Sequence, residues 1–456
     1  METLVVIDGF SKKGRGAGCH GTAKVEVVGA VPGDHVLVEL SRKRKGWHTG
    51  FLREIICASA LRVKPRCAHV PLCGGCSWQE IDYKEQLRFK EEIVKKIFPA
   101  VGDKLRPIIA CDDPWHYRNK MEFSFSQNKA GERFLGLMLA QGRSHVFNLT
   151  ECHLVSSWFS ELLSSIRAWW EKSELTAYRM NGEGTLRTLI VREGKRTQEK
   201  LVMLTVSGNP DYALTQKQID DFAAVVESVI SDASIFLRIQ QAIKGTATQF
   251  YEIHLRGKDY IKEELLIDTG RRKRALTFKI SPTSFFQPNP TQAEKLYSAA
   301  LQMVDLPPNA VVFDLYAGTS TLGMALSLEA EKVVSIELNP HAVFDAEEGA
   351  KMNGIENLSF HIGDVGKVLT EMRSLPDFKA PDLVIVDPPR AGLDPTALGH
   401  LIALQPNQIL YISCNVATQA QNIEVLQQEG YTLIAMQPVD QFAHTPHIEN
   451  IALLKI

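Results

Sequence analysis

Short apolar runs alternate with stretches of helical periodicity along the last third of the chain, and each run stops at a polar or glycine-bearing turn. Residues 311–313 lead into Asp314-Leu315-Tyr316-Ala317-Gly318-Thr319-Ser320-Thr321, residues 333–336 end at Glu337, and residues 358–362 end at Gly363-Asp364. Residues 383–386 run into Asp387-Pro388-Pro389-Arg390-Ala391-Gly392, and residues 408–412 into Ser413-Cys414-Asn415. Runs at 431–436 and 451–455 complete the series. Continuous Val- and Ile-rich runs of this length predict strands buried on both faces of a parallel sheet. Residues 286–456 therefore read as an α/β domain with a doubly wound, Rossmann-like sheet, its ligands set along the strand carboxyl ends.

Toward the N-terminus the pattern shortens. Runs at 3–7, 22–28 and 35–40 carry β-branched residues and are separated by Gly14-Arg15-Gly16-Ala17-Gly18 and Pro32-Gly33-Asp34. This predicts a small closed β-barrel of OB type over residues 1–60. Residues 61–285 predict a central α/β domain. Helical spacing falls at 80–98, 158–171 and 216–231, and strands at 186–191, 200–206, 234–240 and 249–254. The basic loop Arg271-Arg272-Lys273-Arg274 lets this domain hold a substrate. The stretch from Trp115 to Phe123 interleaves aromatic residues with His116, Arg118 and Lys120. Such interleaving suits single-stranded RNA, and equally a half-buried core strand.

Composition adds limits. A chain of 456 residues suffices for roughly three domains. No apolar run nears the roughly 20 residues that span a bilayer, and no signal-peptide hydrophobic region opens the chain, which predicts a cytoplasmic protein with no membrane partner. The formal charge of -2 hides an asymmetry. Residues 1–66 hold twelve Lys and Arg against six acids. Arg42-Lys43-Arg44-Lys45, followed by Trp47 and His48, sets phosphate-binding charge beside a stackable ring.

Of the eight cysteines, Cys67, Cys73 and Cys76 crowd around Gly74-Gly75, and Cys152 follows at a distance. The glycines let the loop fold tightly enough for neighbouring thiolates to share a centre. Three close ligands and one distant suit a [4Fe-4S] cluster better than zinc, whose ribbons pair two short knuckles; four thiolates on zinc stay open as the alternative. Cys19, Cys57 and Cys111 lack such neighbours and read as structural. Cys414 stands apart, at the end of a buried strand and next to the strand that delivers Asp387. Glu337 sits where an acid can hold ribose hydroxyls, and Asp364 where adenine would lie. A G-x-G-x-x-G loop for a pyrophosphate is missing, which favours a phosphate-free cofactor such as S-adenosylmethionine over a dinucleotide.

Five motifs carry a resemblance. Ser284-Phe285-Phe286-Gln287-Pro288-Asn289, Asp314-Leu315-Tyr316-Ala317-Gly318, the Asp387 to Leu393 loop, Ile412-Ser413-Cys414-Asn415 and His447-Ile448-Glu449-Asn450 resemble the RumA/TrmA family of RNA uridine-5 methyltransferases. The similarity covers nearly the whole chain. Gly29-Ala30-Val31-Pro32-Gly33-Asp34 is similar to the most typical phrase of the TRAM domain, an RNA-binding barrel. The resemblance implies Cys414 as nucleophile, Glu449 as general base, and S-adenosylmethionine contacts at Gln287, Tyr316, Thr321, Glu337, Asp364 and Asp387. The pattern of Cys67, Cys73, Cys76 and Cys152 resembles the RumA branch, which carries a [4Fe-4S] cluster and methylates 23S ribosomal RNA. A monomer acting on ribosomal RNA is the expectation. The chain departs from the family at Thr319-Ser320-Thr321, at Ala317 where Cys is frequent, and at Val416 where Pro is common.

The chemistry needs these groups. Carbon 5 of uracil is a poor nucleophile until a thiolate adds at carbon 6, and a base must later remove the hydrogen on carbon 5. Cytosine-5 methyltransferases acting on RNA commonly place a second Cys soon after the diproline. Arg390 occupies that place here, which favours uracil.

Overall fold

The computed structural model describes residues 2–141, 145–242 and 245–456. Strands Glu2–Phe10, Gly16–His20, Ala23–Val27, His35–Leu40 and Trp47–Cys57 close a five-stranded barrel. The period of two along the first strand puts Thr3, Val5 and Ile7 inside and Leu4 and Val6 outside. Val5, Ile7, Val25, Val27, Val36 and Val38 fill the interior. The Gly29 to Asp34 phrase has a structural reason. Gly29 and Gly33 adopt φ of 78° and 94°, and the Asp34 carboxylate accepts from Val31 N at 2.7 Å and Ser59 N at 2.8 Å. Arg62 then donates to Asp34 Oδ2 at 2.7 Å and to Gly29 O at 2.6 Å, pinning the next segment to the barrel. Trp47 and His48, after the basic loop, open the fifth strand, and His48 Nδ1 lies 2.8 Å from Ser41 O. Arg42 to Lys45 remain exposed.

The central sheet has seven strands in the order Gln249–Arg256, Ser234–Gln241, Lys200–Ser207, Leu186–Glu193, Lys120–Gln127, Arg133–Met138, Val146–Asn148. Helices Trp158–Glu171 and Gln216–Val229 cover one face, and their apolar stripes share a core with Phe123, Leu189, Val202 and Leu237. The aromatic-basic stretch resolves in favour of core for its rings. Tyr117 and Phe123 are buried, and the Tyr117 hydroxyl donates to Ala443 O. Trp115 stacks on His444 with centroids 4.1 Å apart.

The basic loop at 271–274 belongs to a hairpin. Lys273 and Arg274 begin a strand, and the loop turns the hairpin Ile261–Asp268 and Lys273–Ile280. This hairpin packs on helices Pro290–Leu301 and Pro340–Met352 of the last domain. Two of its cations have local partners, Arg271 on Asp305 at 3.2 Å and Arg274 on Asn353 O.

The last sheet runs Leu358–Ile362, Lys332–Glu337, Val311–Leu315, Leu383–Val386, Gln408–Ser413, Glu449–Lys455, Thr432–Val439. The first five pair in parallel, and Glu449–Lys455 enters antiparallel between Gln408–Ser413 and Thr432–Val439. Strand order reverses beside Val311–Leu315, the place where such sheets open a crevice. Helix Tyr83–Ile97, capped by Asp82, docks back onto this domain through a wholly buried ion pair, Lys90 Nζ to Asp440 Oδ1 at 2.5 Å. The Tyr83 hydroxyl donates to the other oxygen of Asp440 at 2.7 Å. Removing one partner from such a pair typically costs ~3–5 kcal/mol, so the joint is firm. Among the described residues, no helix is long and apolar enough to cross a membrane.

Candidate active site

A cavity of about 760 Å³ opens at the carboxyl ends of the parallel strands. Gln287, Tyr316, Thr321, Glu337, Asp364, Asp387, Cys414 and Glu449 all line it. The eight residues expected from sequence to act on cofactor and substrate therefore share one cavity, although 162 positions separate the first from the last (449 minus 287).

Sheet register brings the two expected catalytic residues together. Ser413 faces Asn450 across the antiparallel ladder, so the next pair outward is Cys414 and Glu449. Gln419 secures that ladder from the following helix. Its Nε2 donates to Tyr411 O at 3.0 Å and Asn450 O at 3.1 Å, while its Oε1 accepts from Asn450 Nδ2 at 2.7 Å. The adjoining loop is tied in as well. Asn415 Nδ2 donates to Arg390 O at 2.9 Å, and Asn422 Oδ1 accepts from Leu393 N at 2.9 Å and the Tyr411 hydroxyl at 2.8 Å. Gly392, at φ 77°, passes so close to Asn422 and Thr418 that a Cβ there would meet Asn422 Oδ1 at 2.8 Å.

Electrostatics distinguish the acids. Burial pushes Asp387, partly open to the cavity, up to about 7. Burial, reinforced by Asp387, raises Glu449 well above the carboxylate range, against the pull of Arg390. Burial first, then Glu449 and Asp387, raise the Cys414 thiol, while Arg390 draws it back by charge and by a hydrogen bond. Two ionisable acids beside a thiol, with one cation opposing them, form a site whose proton inventory depends on what binds. A cationic ligand would favour the ionised form of all three.

The Glu337 carboxylate is fixed by two backbone donors, accepting from Gly318 N at 3.0 Å and Asn339 N at 2.8 Å. Asp314, also pushed up to about 7 by burial, accepts from Gly323 N at 3.0 Å and from the Ser320 hydroxyl. It shapes the Tyr316 to Thr321 loop. Tyr316 and Ser320 sit at φ 61° and 52°, and a Cβ on Gly323 would meet Ser320 Oγ at 2.5 Å. The unusual Thr319-Ser320-Thr321 is thus built around the Ser320 bonds to Asp314 and to Ser335 at 2.6 Å. Asp364 is exposed and caps helix Val365–Arg373 through Lys367 N.

The sequence reading missed Arg118, Phe285, Tyr297 and Phe442 as cavity-lining residues. Arg118 arrives from the central domain and Phe442 from a loop near the chain end, and no periodicity links either to the sheet.

The cysteines gather at the back of the Asp440 to His447 loop. Cys76 and Cys152 pack in one small cluster with Cys111, Tyr117 and Ala443. Burial raises the Cys76 thiol, and Cys152, Cys73 and Cys67 raise it further, so the four thiols lie within electrostatic reach of one another. Cys67 N donates to Gln79 Oε1 at 2.7 Å and Gly75 N to Cys73 Sγ at 3.4 Å, which shapes the loop. Among the described residues, no group of three or more His, Cys, Asp or Glu is gathered closely enough for a single metal ion. Cys19 and Cys57 are exposed, and Cys111 is buried.

Fold and cavity together define an S-adenosylmethionine-dependent methyltransferase fold carrying an N-terminal β-barrel. The model of the tRNA (uracil-5-)-methyltransferase family matches residues 82–456, and the chain belongs to that family. It is 46% identical over 442 residues to an uncharacterised RNA methyltransferase of Protochlamydia amoebophila, covering 95% of this chain and all of that one. It is 36% identical to another from Clostridium acetobutylicum, covering 96% of this chain and 94% of the relative. Its fold is similar, at TM-score 0.73 and 24% identity over the full length of both chains, to the Pyrococcus abyssi tRNA (uracil-54, C5)-methyltransferase crystallised with S-adenosyl-L-homocysteine.

Proposed function

We propose that this chain methylates carbon 5 of one uridine in 23S ribosomal RNA through a covalent adduct with Cys414. The observation that supports it most is the register that sets Cys414 beside Glu449 on the wall of the cavity holding Asp387. Gln287, Tyr316, Thr321, Glu337, Asp364 and Asp387 would hold S-adenosylmethionine, which would supply the methyl group from its sulfonium. The Cys414 thiolate bonds to carbon 6, and the electrons of the carbon 5–carbon 6 double bond move onto the ring carbonyl as an enolate. Carbon 5 then takes the methyl group, and the carbon–sulfur bond of the sulfonium breaks to leave neutral S-adenosylhomocysteine. Glu449 removes the hydrogen on carbon 5, the double bond re-forms, and the thiolate departs. The uridine must be turned out of any stack to reach Cys414.

Ribosomal RNA is favoured by the barrel and by the four-cysteine pattern. The same chemistry on transfer RNA is the second reading, and the family model's own description favours it. Mapping 5-methyluridine in ribosomal and transfer RNA from cells lacking the protein decides between them. Loss of one ribosomal site supports the proposal, and loss of a transfer RNA site instead replaces it.

One consequence concerns the cofactor. Asp387 carries a proton below about pH 7, which binding of a sulfonium must displace. Affinity for S-adenosylmethionine is expected to rise as pH increases from 5 to 7, by at most about tenfold per pH unit, and to level off above that. S-adenosylhomocysteine, which lacks the positive charge, follows a shallower curve. Titration calorimetry of both ligands at several pH values measures the difference, and parallel curves would remove Asp387 from the sulfonium.

A [4Fe-4S] cluster on Cys67, Cys73, Cys76 and Cys152 is part of the same proposal. Cys67, Cys73, Cys76 and Cys152 lie within electrostatic reach of one another, and four cysteine thiolates are the usual ligands of such a cluster. Held there, it would brace the loop from Asp440 to His447 from behind. Protein purified without oxygen is expected to be brown, with iron and sulfide in stoichiometric amounts. A colourless protein with one zinc would refute the assignment.

A further inference from the structure

The face of the central sheet opposite its two helices carries cations that the chemistry above does not use. Register places Lys120 beside Arg192, and sets Thr188, Thr205 and Arg238 side by side on three neighbouring strands. Met121, Val191 and Leu237, one residue along from these cations, point into the helix-covered core, so Lys120, Arg192 and Arg238 point the other way. At one end this open face is closed by the hairpin's domain, where Ile190, Leu201, Met203 and Phe236 join the apolar core. Toward the other end Lys120 and Arg238 are half-buried, while Arg192 and Thr205 are almost wholly buried. There the Arg238 guanidinium lies 3.9 Å from the ring centroid of Phe250, which is 44% exposed on the edge strand.

These cations converge. Burial first, with Arg192, Arg238 and Arg118, lowers the Lys120 ammonium to about 8, against the pull of Glu122. Glu252 sits 3.6 Å from Arg238 Nε. Arg192 donates through Nη1 to the carbonyls of Ser281, Pro282 and Ser284, which leaves Nη2 with no protein partner among the described residues. The Thr205 hydroxyl is buried and equally without one. Gathering cations in a partly dried place destabilises a fold until an anion joins them. Arg118 also lines the cavity, so the cluster reaches from the sheet face to the cavity wall.

We propose that this sheet face carries the backbone phosphates of the nucleotides flanking the target uridine, with Phe250 as a stacking surface for an unpaired neighbouring base. The inference rests on the RNA reading of the adjoining cavity. Single-stranded RNA fits better than duplex, because ring stacking and a flipped target both need unpaired bases.

The test measures binding of fluorescent oligouridine of about fifteen nucleotides, a length that would extend beyond the cavity, at several salt concentrations. Arg238→Ala is expected to weaken binding about tenfold and to lower the slope of log affinity against log salt by about one. Phe250→Ala is expected to weaken it about tenfold with the slope unchanged. Arg238→Lys should keep the slope. A uridine trinucleotide used as competitor, and S-adenosylhomocysteine, should bind all variants like the parent. Unchanged affinity for the long probe overturns the proposal, as does an equal loss for the trinucleotide, which would mean a distorted cavity. Because affinity is read without chemistry, failure of the parent to form a covalent adduct with 5-fluorouridine RNA would count against the enzymatic reading alone.

Discussion

Cys414→Ala is expected to abolish methyl transfer to uridine-containing RNA, with a loss on the order of 10^4-fold or more, as when a covalent nucleophile is deleted. The chemistry leaves no cheaper path, because without a bond at carbon 6 the ring offers no enolate at carbon 5. Stability should hardly move, since the side chain is only partly buried at the end of its strand and its removal opens no core cavity. The pH profile of the parent adds an independent check. Burial, Glu449 and Asp387 raise the thiol, so at neutral pH the thiolate is the minor form. Early-phase rates at low substrate should climb with pH through the neutral range, by at most about tenfold per unit. Transfer of a labelled methyl group measures activity, and 5-fluorouridine RNA reports the bond, since the parent should give a covalent complex that survives denaturant and Cys414→Ala none. Retention of more than about one hundredth of parent activity would end the nucleophile assignment, given how little such deletions normally leave.

Legibility in the sequence follows from what each element depends on. The parallel strands were readable because double burial demands unbroken apolar runs, and their ends mark where chemistry can sit; Asp387 and Cys414 were found that way. The hairpin at Ile261–Asp268 and Lys273–Ile280 was not, because its pattern is mixed and its turn is four consecutive cations that look like a binding loop. Two of them, Arg274 and Arg271, find partners on Asn353 and Asp305, which the sequence pattern does not show. Tyr117 and Phe123 show the converse limit: aromatic residues between cations carry the same letters in a core strand and in an RNA platform. The cations of that stretch did stay available, Arg118 at the cavity and Lys120 on the open sheet face, because alternation sends neighbouring residues to opposite sides. Arg118 and Phe442 could not be foreseen, since what brings them to the cavity is the docking of one domain on another through Lys90 and Asp440.

Glu449→Gln should separate the two halves of the reaction. Glutamine keeps the size and a hydrogen-bonding end but cannot accept the carbon 5 proton, so thiolate addition and methyl transfer proceed while release stalls. Turnover is expected to fall about 10^2- to 10^4-fold, the usual contribution of a positioned base. Unmodified RNA should then accumulate as a methylated covalent complex with the variant, whereas the parent turns it over. The variant should fold at least as well as the parent, because burial and Asp387 already disfavour the Glu449 charge. That sign has a further reading. A carboxyl raised by its surroundings holds its proton until those surroundings change, and arrival of a sulfonium beside Asp387 supplies that change. Once the methyl has left, the cofactor is neutral, the sulfonium no longer favours a charged Glu449, and uptake of the carbon 5 proton becomes easier at the moment it is needed. Gln419 fixes the ladder on which this depends, so Glu449→Gln with an intact Gln419 isolates the proton from the geometry. If Glu449→Gln instead lost both turnover and the trapped complex while Cys414→Ala behaved as above, Glu449 would act before methyl transfer, and the base that follows it would have to be sought elsewhere on the cavity wall.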